Sequence, residues 1–335
     1  MNTRNQSSFQ VIRIMGLGRR SRLSDDANAL IGRAVFVCVI AIALAFASNS
    51  FATSGNLLNV LRQASLMFLL ASGLTIVILS GGFDLSIAAN LTLSACLAAG
   101  AMKAGVSPWL AIAVSMSCGA LIGLLNGLAV ALLRLPPFLA TYGMLWVVQG
   151  IAFHYMGGNE IFGFPAGFRA LGTGFWWGVP IPVYMMLLVL IVGSVITACL
   201  NIGREIYAIG ANPEVARLSG IPVRRRRIAV YTISGLMAGI AAVVYLARVN
   251  AADSAMGDPI LLPAIAAILI GGASLFGGTG TLLGTLLGCL TLALVIDGMN
   301  LLNLDANLQP LVVGLVLLVA VLTDALGRRH ADTVG

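Results

Sequence analysis

Apolar runs of about twenty residues recur along this chain from residue 34 onward, parted by short polar or glycine-rich links. A run of that length crosses a hydrocarbon core of about 30 Å as a helix. Ten spans can be drawn, over 34–52, 63–80, 85–103, 108–132, 137–156, 181–200, 228–247, 260–277, 279–299 and 308–326. The pattern predicts an all-α polytopic membrane protein of about ten transmembrane helices. It divides the chain into a cytoplasmic tail over 1–33, one transmembrane domain over 34–327 and a cytoplasmic tail over 328–335. Two links, Ser80-Gly81-Gly82-Phe83-Asp84 and Gly277-Gly278-Thr279-Gly280, are either tight cytoplasmic turns or breaks within helices at membrane depth. A break of that kind needs cover from protein or from a wet cavity, because lipid satisfies no backbone polar group.

The polar segment over 203–222 stands out against this background. Asn212 suits a helix N-cap, Pro213 the first helical position, Glu214 the positive end of the helix dipole and Gly220 the stop. The helix so predicted, over 213–219, is roughly 10 Å long and too short to stand alone in water. Val215 and Leu218, three residues apart, offer it a face to bury. It is either a capped helix resting on the membrane surface or a peg that enters a groove of a cytoplasmic motor domain. In the second case, burial of Val215 and Leu218 contributes about 1.5–3 kcal/mol each.

Charge fits the same drawing. Only 9% of the 335 residues are charged, against about 25% in soluble domains. With the N-terminus inside, fifteen of the nineteen basic residues fall on the cytoplasmic side; Arg62, Lys103, Arg169 and Arg248 are the exceptions. Losing one span would put the run Arg224-Arg225-Arg226-Arg227 outside. That run is a topology anchor near anionic headgroups, or a contact to a cytoplasmic partner. The formal charge of +7 is therefore a topological signal and no nucleic-acid footprint.

Absences narrow the chemistry. The single lysine, Lys103, follows Ala101-Met102, so no phosphate-binding Gly-Lys-Ser/Thr loop exists. His-Glu-x-x-His, Gly-x-Ser-x-Gly and paired intramembrane carboxylates are also missing, which argues against an enzyme and weakens an ion-coupled secondary carrier. The five cysteines sit singly in apolar runs as packing residues.

Asn90, Asn126, Thr141 and Gln149 lie inside spans, where they either bond between helices or line a path for a polyhydroxylated solute. Asp84 either caps the third helix or takes part in gating. Gly280, Gly284 and Gly288 recur every four residues, a spacing for close helix contact within a subunit or at a dimer seam. The stretch over 78–85 is echoed over 268–275, as duplicated halves would be. The longest external loop, 157–180, carries Trp176-Trp177, an interface-belt pair or a docking point for a soluble partner.

Several of these stretches match one family. They are 73–86 (Gly-Leu-Thr-Ile-Val-Ile-Leu-Ser-Gly-Gly-Phe-Asp-Leu-Ser), 123–127, 135–144 (Leu-Pro-Pro-Phe-Leu-Ala-Thr-Tyr-Gly-Met), the polar segment through Leu218-Ser219-Gly220-Ile221, and Ala264-Ile265-Ala266-Ala267 followed by Gly271-Gly272. In order and spacing the chain resembles the permease subunits of bacterial ATP-binding-cassette importers for ribose, galactose, arabinose, xylose, autoinducer-2 and related solutes. The resemblance implies ten helices in the inner membrane with both termini cytoplasmic. It implies a second permease copy or paralogue, a cytoplasmic ATP-binding subunit and a periplasmic or extracellular solute-binding protein. ATP and magnesium would then sit on the partner subunit, with no cofactor on this chain. It also implies that Gly210, Asn212, Pro213, Glu214, Val215, Ala216, Arg217, Leu218 and Gly220 form the helix coupled to the ATPase. Ile87-Ala88 and Leu262-Pro263 depart from common forms of the motifs, which leaves open the solute: a sugar, or a branched-chain amino acid, nucleoside or autoinducer-like molecule.

Overall fold

The computed structural model describes residues 27–334. Among these residues the long helices are α1 (Ala27–Ala47), α2 (Ser54–Leu79), α3 (Ile87–Lys103), α4 (Pro108–Ala131) and α5 (Pro137–Met156). After a short α6 (Ala166–Thr173) come α7 (Ile181–Cys199), α8 (Asn201–Ala211), α9 (Pro213–Leu218) and α10 (Val223–Val249). The chain ends with α11 (Asp258–Ile270), α12 (Leu282–Leu301) and α13 (Gln309–Val334). A helix lies in each of the ten predicted spans. Six of them, α1, α2, α4, α7, α10 and α12, are long and apolar enough to cross a membrane by length and composition. The first 26 residues of the expected N-terminal tail lie outside the described residues.

The centre of the bundle is α2, buried from Phe68 to Leu79, with α7, α10 and α12 packed on it. The periphery is apolar as well: Phe46, Leu188 and Leu318 are exposed, as side chains facing lipid should be. Small residues set the closest helix approach, between α4 and α10. A Cβ on Gly119 or Gly123 would meet the α10 backbone at Gly235, Gly239 and Tyr231, and one on Gly239 would meet Ser115 and Met116. Ser115 Oγ donates across this seam to the Gly239 carbonyl (2.9 Å). Gly119, Gly123 and Gly127 thus do what glycines at four-residue spacing do in membranes.

The other glycine series divides. Gly284 and Gly288 of α12 abut the α11 backbone at Gly271 and Ala267, so this contact is within the subunit. Gly280 is not on the helix. It precedes α12, with φ +127, and packs on Ala273.

Both doubtful links are unwound. The first occupies 80–86. The second is longer than expected, over 271–281, because α11 stops at Ile270 and not near 277. Each helix ends in the same way. Gly81 (φ +72) follows α2, and the Gly82 N–H reaches back to the Val77 carbonyl (3.0 Å). Gly272 (φ +80) follows α11, and the Ala273 N–H reaches back to the Ile268 carbonyl (3.1 Å). This is a Schellman-type stop, in which glycine takes the left-handed position without a Cβ penalty. The geometric correspondence is shifted by one residue from the letter-for-letter echo of 78–85 in 268–275.

The 157–180 loop is an ordered layer. Ile161–Phe162 pairs antiparallel with Ala251–Ala252, and α6 follows. A hairpin then pairs Phe175–Trp176 with Val179–Pro180 across Trp177 (φ +47) and Gly178 (φ +76). Trp176 and Trp177 are both exposed.

Candidate functional site

The polar segment folds as its capping residues dictate. Asn212 Oδ1 accepts from the Glu214 and Val215 N–H groups (3.0 and 3.1 Å). Pro213 opens α9, and Gly220 (φ +83) lies just beyond its end, with the Ile221 N–H returning to the Ala216 carbonyl (3.1 Å). The Arg217 guanidinium grips both Glu214 oxygens and holds that carboxyl below the usual carboxylate range. The residue that seats α9 on the protein is Ala216, 2% exposed. Val215 and Leu218 are not buried within the chain: they are 57% and 73% exposed. The apolar pair proposed as the buried face is therefore unpartnered within the chain, because α9 turns Ala216 inward instead.

The preceding helix α8 sets where this peg stands. Ile206 and Ile209 are buried beneath it, and Glu205 forms an ion pair with Arg226 of α10. At its C-terminal end Gly210 lies against both unwound links. A Cβ there would run into the Leu79 carbonyl and the Gly278 backbone. The Gly278 N–H donates to that same Leu79 carbonyl (3.1 Å), and Tyr207 Oη donates to the Gly280 carbonyl (2.8 Å). A Cβ on Gly277 would fall 2.6 Å from the Gly81 Cα and 3.0 Å from the Gly210 carbonyl oxygen. The three segments read separately in the sequence thus meet at one crossing of bare backbone.

The first link is also held from behind. Asp84, 1% exposed, accepts at Oδ1 from the Ser86 N–H (3.0 Å) and the Ser86 hydroxyl (2.7 Å), and at Oδ2 from Ser234 of α10 (3.4 Å). Its carboxylate bonds to Ser86, the residue before α3, so it braces the start of that helix. Asn126 of α4 donates to the Ser86 hydroxyl (2.7 Å). Thr141 of α5 accepts from the Leu85 N–H and donates to the Phe83 carbonyl (both 3.2 Å), and Tyr231 of α10 donates to that carbonyl at 3.1 Å. Helices α4, α5 and α10 therefore converge on residues 83–86.

The four polar residues considered for the solute path are all buried, and the structure does not bring them together. Asn126 and Thr141 hold the link. Asn90 donates from α3 to the Gly119 carbonyl of α4 (3.1 Å) and accepts from Ser94 (3.1 Å). Gln149 donates from α5 to the Ser254 carbonyl (2.5 Å), at the far end of the bundle. Tyr231, Ser234 and Tyr207 were missed by sequence reading, since an aromatic or a serine in an apolar helix carries no positional signal.

The structure is a polytopic helical bundle whose capped helix α9 is rooted beside its two unwound links. The family described as branched-chain amino acid transport system / permease component matches residues 56–321, and the chain belongs to it. Among curated relatives, the ribose import permease protein of Bacillus subtilis (strain 168) is 38% identical over 302 residues, covering 90% of this chain and 94% of its own length. The D-allose transport system permease protein of Escherichia coli (strain K12) is 34% identical, covering 87% and 90%. The L-arabinose transport system permease protein of the same organism is 32% identical, covering 90% and 92%. No solved structure matches the chain. The chain is a multi-pass membrane permease of the ATP-binding-cassette importer type, and its relatives are transport proteins, not enzymes.

Proposed function

We propose that this permease imports a monosaccharide, D-ribose first among the candidates, and that α9 is where a separate cytoplasmic ATP-binding subunit drives it. The observation that carries the sugar assignment is the 38% identity to a ribose import permease across 90% of the chain. The coupling assignment is supported by α9 itself. Its cap and ion pair make it rigid, while Val215 and Leu218 stand exposed with nothing to cover them. In this reading both termini are cytoplasmic, which the basic-residue asymmetry supports. ATP and magnesium bind the partner subunit, a second permease copy or paralogue completes the pore, and a solute-binding protein delivers sugar from outside. Asn126 and Thr141 then act on the cytoplasmic side, positioning the link that α8 touches. Asn90 and Gln149 remain candidates for lining the path. A second reading, import of a branched-chain amino acid, is favoured only by the description of the matching family.

The test is uptake of radiolabelled D-ribose by proteoliposomes holding the permease with its ATP-binding and solute-binding partners. Unlabelled sugars should compete and leucine should not; the reverse would favour the second reading. Leu218→Asp should weaken retention of the ATP-binding subunit about 10- to 100-fold, since it loses apolar burial and places a charge in the groove. Full retention with normal uptake would reject α9 as the docking element.

A further inference from the structure

A cavity of about 360 Å³ opens at the end of the bundle away from α9, between α2, α3, α10, α11 and α12. Its walls are largely apolar, with Leu66, Leu91 and Ile260 among them. Three polar side chains interrupt that lining: Gln63 of α2, and Tyr245 and Arg248 of α10. Tyr245 and Arg248, three residues apart, share one helix face, and Gln63 comes from the neighbouring helix. Among the described residues none of the three side chains makes a hydrogen bond to protein. All three residues are half-exposed, so their polar ends stand open to water or to a solute that enters the cavity.

The donor set has a chemical meaning. Arginine offers only donors, glutamine offers both donors and an acceptor, and tyrosine adds a hydroxyl and an aromatic face. A ring with several hydroxyls and one apolar face satisfies all three. A cation does not, because the Arg248 guanidinium in the lining already carries a positive charge. The volume lies within the range of small-molecule sites and holds a monosaccharide with some water.

We propose that this cavity is the solute-receiving site of the permease, taking a neutral monosaccharide whose hydroxyls are read by Gln63, Tyr245 and Arg248. The proposal rests on the sugar-import reading above and names the site where that reading acts. None of the four polar residues first considered for the path lines it.

The experiment uses the complete transporter in proteoliposomes, with labelled D-ribose, D-allose and L-arabinose as probes. Tyr245→Phe and Gln63→Leu keep size and shape while removing hydrogen-bonding groups. Each should lower uptake of the preferred sugar about tenfold, roughly the worth of one lost hydrogen bond. Each should also change the ranking of the three sugars, while ATP hydrolysis stimulated by the loaded solute-binding protein stays within about twofold of wild type. A folding defect would lower all three sugars and ATP hydrolysis together, and Arg248→Gln is then the variant that decides, by the same criteria. Wild-type uptake with unchanged rate and ranking in the variants would overturn the cavity assignment alone. A wild-type transporter that takes up none of the three sugars would overturn the sugar reading and this site with it.

Discussion

Gly210→Val should abolish coupled uptake and lower the thermal stability of the permease. The α8 terminus lies against the Leu79 carbonyl and the Gly278 amide, and both obstacles are main chain. A clash with a side-chain tip can be relieved by a new rotamer, whereas here one of three segments must move. Overpacking of this kind costs about 1–3 kcal/mol where neighbours yield, and more where they are backbone. Gly220→Val makes the control. Its φ of +83 strains any residue with a Cβ, yet nothing lies within 4 Å of the position a Cβ would take. The strain there is about 1–2 kcal/mol and confined to the end of α9. Membrane content and Tm should stay near wild type for Gly220→Val, with coupling reduced. Measuring Tm, sugar uptake and ATP hydrolysis side by side separates the two. Normal coupled uptake by Gly210→Val would show that the crossing transmits nothing.

The second large effect belongs to Asp84→Ala. Loss of the carboxylate strands the Ser86 N–H and hydroxyl in a buried site and frees Ser234 from the same cluster. A buried donor without a partner costs about 1–3 kcal/mol, so the total is about 2–4 kcal/mol and the fall in Tm about 5 °C or more. Asp84→Asn keeps the shape and one acceptor and should cost less than half as much. Thermal unfolding in detergent, followed by tryptophan fluorescence, reads both. Equal stability of the alanine variant and wild type would mean that Asn126, Thr141 and Tyr231 suffice to hold residues 83–86.

Much of this was legible before any coordinates. Runs of apolar residues placed a helix in every expected span, because lipid leaves the chain no other way to satisfy its backbone. The α9 cap was equally readable, since Asn, Pro and Gly act at fixed offsets from a helix end. What remained hidden depends on residues distant in sequence. That Gly210 touches Leu79 and Gly278 is a fact of tertiary packing, and a glycine in a polar segment reads first as a turn. The 119–127 glycine series was overlooked for the 280–288 one, although the spacing is the same in both. In a chain with 39 glycines, spacing alone does not say which ones face a neighbour. The burial of Val215 and Leu218 was expected against a partner or the membrane surface, and both stand exposed on the chain itself. The structure shows that the face which seats α9 is the single methyl of Ala216. The cavity was invisible for the same reason: Gln63 and Arg248 are 185 positions apart and meaningful only together.

The glycine crossing of α8 with the two links has a mechanical corollary. Side chains between moving parts act as cushions, taking up small displacements by rotating. At Gly81, Gly210, Gly277 and Gly278 there is no such padding, so the linkage has almost no slack. A push of an ångström on α9 would leave the two links only two responses: stay put together or shift together.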